Sequence, residues 1–196
     1  MPVKDYAEAH VRAHLDLVDR ILLDAELRAA VKAVSRAIAG AFRQGHRLFL
    51  FGCGGSAADA QHIAAEFINR YGFPRGSLPA IALTTDSSIL TAVGNDDAFE
   101  HVFSRQVEGL VQEGDVVLGI STSGTSPSVV RGLEAARVRG AMPVLLTGEK
   151  VKSIPGVTAH VISVPSGSTP LVQEAHAMIA HIICGMVEEE ICHGSR

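Results

Sequence analysis

Residues 47–59, RLFLFGCGGSAAD, decide how the rest of the chain is read. The large apolar residues Leu48 to Phe51 give way to Gly52, Gly54 and Gly55, and then to Ser56-Ala57-Ala58-Asp59, which opens a helix. A continuous apolar run is the signature of a strand buried on both faces of a parallel sheet. Glycines after it let the backbone approach a ligand closely. Ser56 with Asp59 three residues on resembles a capping box. A strand, a glycine turn and a helix form the repeating unit of open α/β sheets, whose ligands bind outside the carboxyl ends of the strands.

The unit recurs down the chain. Further strands are expected at Ala80–Leu83, Val116–Ile120, Pro143–Leu146 and His160–Val164, beside the first at Arg47–Phe51. Helices are expected at 56–71, 86–93, 99–112, 127–139 and about 170–190. Regular alternation predicts a three-layer α/β fold, a five-stranded parallel sheet flanked by helices. Before it, residues 1–44 read as a helical extension. Val11, Leu15, Val18 and Leu22 recur at helical spacing, and a second helix over 26–43 carries Leu27, Val31, Val34, Ile38 and Phe42. The first helix has no strand to cover, so its stripe reads as a subunit contact. No linker divides residues 45–190 from the extension, and the expectation is one domain over 1–196.

Composition narrows the function. The 196 residues are 47% apolar and 19% charged, with net charge −4. That supports a packed core and excludes a disordered chain. No basic block is present and there is no Trp, which argues against a nucleic-acid partner or an anionic-membrane patch. Cys53, Cys184 and Cys192 are odd in number and lack C-x-x-C spacing, suggesting neither a disulfide framework nor a cysteine zinc site. The charged N-terminus does not read as a signal peptide, and the apolar stretch 175–187 is short for a bilayer span. The expected compartment is the cytoplasm.

A second loop carries the chemistry. Ser121-Thr122-Ser123-Gly124-Thr125-Ser126 follows the third strand, and Pro127 then suits the first position of a helix. Five hydroxyls at a helix N-terminus, where free N–H groups and the dipole attract anions, point to phosphate. Each hydroxyl alone would be an ordinary turn or cap residue. Neither loop has Lys or Arg, and G-x-x-x-x-G-K-[ST] is absent, which disfavours a nucleoside triphosphate with magnesium. Gly52, Gly54 and Ala57 match the G-x-G-x-x-[GA] dinucleotide pattern, but the acidic residue about 20 positions on is missing, Asp86 arriving late. That reading also leaves residues 121–126 unexplained.

A third cluster is titratable. His62 and Glu66 lie four apart on one helical face, a spacing that suits two ligands of one divalent ion and equally an ordinary helix pair. His181 falls in the apolar stretch Met178–Ile183, where a core histidine bonded to a carbonyl is the plainer reading. Gln173 and His181 are eight apart on one helix, about 12 Å along its axis and about 80° around it. Reaching one ion requires them to stretch towards each other or to serve sites on different subunits.

Taken in order, GCGGSAADAQ (52–61) with His62 and Glu66, LTTD (83–86), Gly94-Asn95-Asp96, FSRQ (103–106), STSGTS (121–126) and Gln173-Glu174-x-His176-x4-His181 form a known pattern. The chain resembles sugar-isomerase (SIS) domain proteins, most closely the phosphoheptose isomerases, over residues 5 to 190. The resemblance implies a flavodoxin-like fold, a homotetramer with active sites between chains, and an aldose–ketose isomerase. That activity converts sedoheptulose 7-phosphate to D-glycero-D-manno-heptose 7-phosphate through an enediol, the first step of ADP- or GDP-heptose biosynthesis. It implies that Cys53, Gly54, Gly55, Ser56, Glu66, Asn95, Asp96, Ser121, Thr122, Ser123, Ser126 and Gln173 bind this seven-carbon sugar phosphate. It further implies one Zn2+ per subunit on His62, Glu66, Gln173 and His181, with Glu66 as base and His181 as acid. Cys53 replaces the family's asparagine, Ser168 a common aspartate and Leu171 a common basic residue. Other relatives of the family are non-enzymatic scaffolds that bind a replication initiator protein, or phosphosugar-sensing modules. The scaffolds lose acidic and histidine positions of the cluster that this chain keeps.

Overall fold

The computed structural model describes residues 3–149 and 151–194; the ends of the expected 1–196 domain lie outside the described residues. Two helices lead, α1 (Val3–Leu23) and α2 (Ala25–Arg43), separated by Asp24, whose carboxylate accepts the Leu27 N–H at 2.9 Å and caps α2. The alternating part follows: β1 (Leu48–Gly52), α3 (Gly55–Ile68), β2 (Ala80–Ala82), α4 (Ser87–Asp96), a 3-10 turn (Phe99–His101), α5 (Ser104–Leu110), β3 (Val116–Ser121), α6 (Pro127–Val138), β4 (Met142–Thr147), β5 (His160–Ser163) and α7 (Thr169–His193).

All strand pairs are parallel, in the order β2-β1-β3-β4-β5. This is the flavodoxin-like order, with its switch point between β1 and β3. The expected fold is therefore the observed one. Strand periodicity sorts the core into two layers. Leu48, Leu50, Val116, Leu118, Ile120, Val144 and Leu146 face α2, α3 and α7. Phe49, Phe51, Val117 and Leu145 face α5 and α6, where Phe51 stacks on Phe103 at 4.8 Å. The central strands β1 and β3 are buried throughout. The edge strands are not: Ile81 of β2 is exposed and β5 is mostly half-buried, so burial on both faces holds for the centre of the sheet and fails at its rims.

Several expected boundaries move. The helix expected over 99–112 is broken, because the chain turns at Val102 and Phe103 to bury both side chains against the sheet; Gln106 then donates to the Leu83 and Val102 carbonyls. Asp86 is the N-cap of α4, accepting the Ile89 N–H at 3.0 Å, which gives it a structural role in place of a ribose-binding one. The capping box at Ser56 and Asp59 does not form. Gly54, at φ +60°, is the N-cap of α3 and no side chain caps it.

The N-terminal stripe also divides. Leu17 and Ile21 are buried against α7 and α2, whereas Val11, Leu15 and Leu22 are exposed and Val18 is half-buried. The judgement that residues 175–187 are too short for a bilayer needs amending. Among the described residues, α7 is 25 residues long and holds an 18-residue stretch of mean hydropathy 1.2, enough for a span by length and composition alone. In this fold it is a core helix, with Ala175, Ile179, Ile183 and Val187 buried in the layer beneath the sheet.

Candidate active site

The two loops of interest leave β1 and β3, the strands that flank the switch point, so the topology alone brings them together. Between them lies a cleft of about 290 Å³. Cys53, Gly54, Gly55 and Ser56 line one side, and Ser121, Thr122, Ser123 and Ser126 the other. Gln173 and Thr169 close it from α7. Three helices of twelve or more residues, α3, α6 and α7, start at this cleft, each bringing unsatisfied N–H groups and the positive end of its dipole. Among the described residues, no Lys or Arg lines it. The cleft therefore attracts an anion through amides and hydroxyls.

The hydroxyls are ordered by one another. Ser121 Oγ accepts the Gly124 N–H at 3.1 Å, and Ser123 Oγ accepts both the N–H and the hydroxyl of Thr125 at 3.2 Å. Ser126 Oγ meets Ser128 Oγ at 3.3 Å, and Cys53 Sγ meets that same Ser128 oxygen at 3.3 Å. The thiol that stands in place of an asparagine is thus tied back to the buried Ser128. A Cβ at Gly55 would lie 2.3 Å from Gln173 Nε2, so a side chain there would displace the Gln173 amide. The glycine lets the Gln173 amide lie against the first loop.

A second cluster lies further along the same two helices. His62 and Glu66 project from α3, with Nε2 and Oε1 3.3 Å apart. His181 of α7 meets them, its Nε2 3.4 Å from His62 Nε2 and its ring edge-on at 5.0 Å between centroids. Ligating atoms of the three residues all lie within 4.8 Å of one another. Two imidazole nitrogens and a carboxylate oxygen converging in this way fit a divalent ion with nitrogen and oxygen ligands. His181 is half-buried and aimed at this cluster, so the plainer reading of a core histidine does not describe it.

Not every expected residue joins these two groups. Gln173 lies in the loop cleft against Gly55, about 12 Å along the helix axis from His181. Asn95 and Asp96 are exposed on the last turn of α4, bonded to each other at 2.7 Å, and do not line the cleft of their own chain. Ser168 is the N-cap of α7 without a side-chain cap bond, and Leu171 packs partly against the core.

Asp59, Tyr71, Thr169, Ser128 and His176 border these groups and were assigned no site role from the sequence. Asp59, half-buried, precedes His62 by three positions on α3; burial raises its carboxyl above the usual range, His62 offsets part of this, and its Oδ2 has no partner. Its i, i+3, i+7 relation to His62 and Glu66 was the available signal. Tyr71 lays its ring 5.5 Å from that of His181. Thr169 and Ser128 follow directly from the helix starts at Pro127 and Ser168. Beneath the hydroxyl loop, His176 is fully buried with both ring nitrogens unpartnered. Burial holds it neutral, with a pKa of about 4, and the nearby Thr147 backbone offsets only part of that.

Comparison with known proteins identifies the family. Residues 12–148 match the SIS domain family model. A phosphoheptose isomerase of Aneurinibacillus thermoaerophilus is 44% identical over 96% of each chain. Another, from a Geobacter species (strain M21), is 48% identical over 94% of this chain and 95% of its own. The solved phosphoheptose isomerase GmhA of Neisseria gonorrhoeae superposes with TM-score 0.86 at 34% identity, covering 95% of this chain and 99% of that one. The chain belongs to the SIS-domain family and, within it, to the phosphoheptose isomerases.

Proposed function

We propose that the chain is an aldose–ketose isomerase that interconverts sedoheptulose 7-phosphate and D-glycero-D-manno-heptose 7-phosphate, the entry to nucleotide-activated heptose synthesis. One observation carries the reading. An anion cleft fed by three helix N-termini and a His/Glu cluster sit on the same two helices, α3 and α7, so that one sugar phosphate can engage both. The cleft takes the phosphate through Gly54, Gly55, Ser56, Ser121, Thr122, Ser123 and Ser126, with Cys53 and Gln173 on its walls.

The reaction then needs a base beside the carbonyl and an acid at its oxygen. Glu66 removes the proton from C1 of the open-chain ketose while His181 protonates O2, giving the enediol. Glu66 returns the proton to C2 as His181 takes the one on O1, leaving the C1 aldehyde. His62, Glu66 and His181 are the residues that would hold a zinc ion, with Gln173 a fourth ligand if its side chain swings from Gly55. Such an ion supplies positive charge to stabilise the enediolate oxygen.

Asn95 and Asp96, turned away from the cleft of their own chain, serve the cleft of a neighbouring subunit in this reading, and the exposed side of α1 supplies the contact of a homotetramer. The whole chain acts as one domain in the cytoplasm. Purified protein, analysed for metal and assayed on sedoheptulose 7-phosphate, tests the proposal. Turnover that is lost on chelation and restored by zinc is expected. Metal-free, inactive protein that retains a protein partner would instead favour the scaffold reading.

A further inference from the structure

Glu188 is an almost fully buried carboxylate with an unusually complete set of donors. It accepts the backbone N–H groups of Tyr71, Gly72 and Phe73 and the Nε of Arg75 at 2.7 Å, with 1% of its side chain exposed. Burial pushes its carboxyl up, but those four donors together outweigh that and hold it below the usual range. Arg75, itself 6% exposed, spends its remaining N–H groups on the carbonyls of Glu66, Phe67 and Gly76. Glu66 and Phe67 belong to the last turn of α3, where carbonyls lack intrahelical partners. One guanidinium therefore caps the helix end that presents Glu66, and its ion pair pins that end to α7.

The anchor on α7 is close to the cluster. Glu188 follows His181 by seven residues, two turns along the same face of the helix. Cys184 lies buried between them, within reach of the charges of Glu66, Glu188 and Arg75. The loop that Glu188 gathers carries Tyr71, whose ring lies 5.5 Å from the His181 ring at a 30° tilt and also rests on Gly185. His181 is thus held between the His62 ring, perpendicular to it, and the tilted Tyr71 ring.

We propose that Arg75, Glu188 and the Tyr71 ring they hold are positioning residues that fix Glu66 and His181 relative to His62. A loop clasp without this role would need neither the contact to the Glu66 carbonyl nor the Tyr71 ring laid beside His181. The inference rests on the proposed ion site, because its benefit is a preset ligand geometry; outer residues that orient ligands are typically worth about 10–100-fold in metal affinity.

Cobalt(II) titrated into the metal-stripped full chain reads this directly through its visible absorption. Tyr71→Ala is expected to weaken cobalt binding about tenfold and to alter the band, with thermal stability little changed, and Tyr71→Phe to restore both. Arg75→Lys, which lacks the fork that reaches the Glu66 and Phe67 carbonyls, is expected to lower kcat with KM for the sugar phosphate unchanged. A folded Tyr71→Ala protein that binds cobalt with wild-type affinity and spectrum overturns the proposal, even if Arg75 or Glu188 variants do not fold. Weakened cobalt binding in Tyr71→Ala, beside a wild-type protein that shows no turnover, sustains the positioning role and removes the isomerase reading. A wild-type protein that binds no cobalt removes the ion site and the positioning role with it, while turnover alone decides the isomerase reading.

Discussion

Glu66 combines a charge with a position set by three contacts, to His62, to the His181 neighbourhood and through its carbonyl to Arg75. Glu66→Gln keeps the shape and removes the basicity. It is expected to lower kcat by about 10²–10⁴, the usual worth of a positioned general base, with an unchanged circular dichroism spectrum. Steady-state kinetics check this, and retained turnover would remove Glu66 from the mechanism. His176 gives a separate prediction at the same scale. Its folded pKa is about 4 against about 6.5 unfolded, so between those values the unfolded chain binds the extra proton. Stability therefore falls as pH drops from about 6.5 to 4, by roughly 3 kcal/mol, and is unaffected above 7. Glu174 and Glu188, held below the usual carboxyl range, add losses only at lower pH. Urea unfolding at pH 7 and 5 should show the loss, and His176→Leu should flatten it. The His62–Glu66 pair was legible because helical spacing is local. Tyr71 was not, because what places it over His181 is a carboxylate 117 residues away.

The elements were legible wherever apolar runs were long. All five strands sit within one residue of their expected limits, the two edge strands β2 and β5 each ending one residue early because an edge strand pairs on one side alone. The helix over 99–112 misled because its composition suits a helix throughout, while burial of Val102 and Phe103 demands a turn. The glycine loop after β1 was recognised, but its cap was not, since a positive φ at Gly54 leaves no trace that distinguishes it from its neighbours. That loop yields a test at this scale. Gly55→Ala places a methyl group against the Gln173 amide and drives that flexible side chain out of the cleft wall. The KM for the sugar phosphate should rise roughly five- to tenfold, about the net worth of one hydrogen bond, with the melting temperature nearly constant. An unchanged KM would mean that Gln173 does not touch the substrate.

At the scale of the whole molecule, the feature in need of a partner is α1. Its inner side is secured by Leu17 and Ile21, and by Glu174 of α7, whose carboxylate meets His10 and His14 at 2.8 Å each. Its outer side leaves Tyr6, Val11, Leu15, Leu22 and Leu23 exposed, next to an apolar groove of about 250 Å³ lined by Val18, Leu27, Val31, Met178, Ile182 and Met186. Scattered exposed leucines are ordinary, whereas a stripe continuous with an apolar groove is what subunit interfaces cover. The periodicity of 11, 15, 18 and 22 was readable beforehand because it is helical spacing; which side would be left bare depended on how α7 packs, a contact between the two ends of the chain. Covering one such leucine is worth about 1.5–3 kcal/mol, and two replaced by charges would remove that and bury charge besides. If α1 is the contact of the proposed tetramer, Leu15→Glu with Leu22→Glu shifts it to smaller species in sedimentation velocity while the chain keeps its fold. Because Asn95 and Asp96 do not line the cleft of their own chain, turnover should fall in step with dissociation. A double variant that sediments as the wild type would show that α1 is not the contact. One that dissociates yet keeps full activity would show that each chain completes its own site.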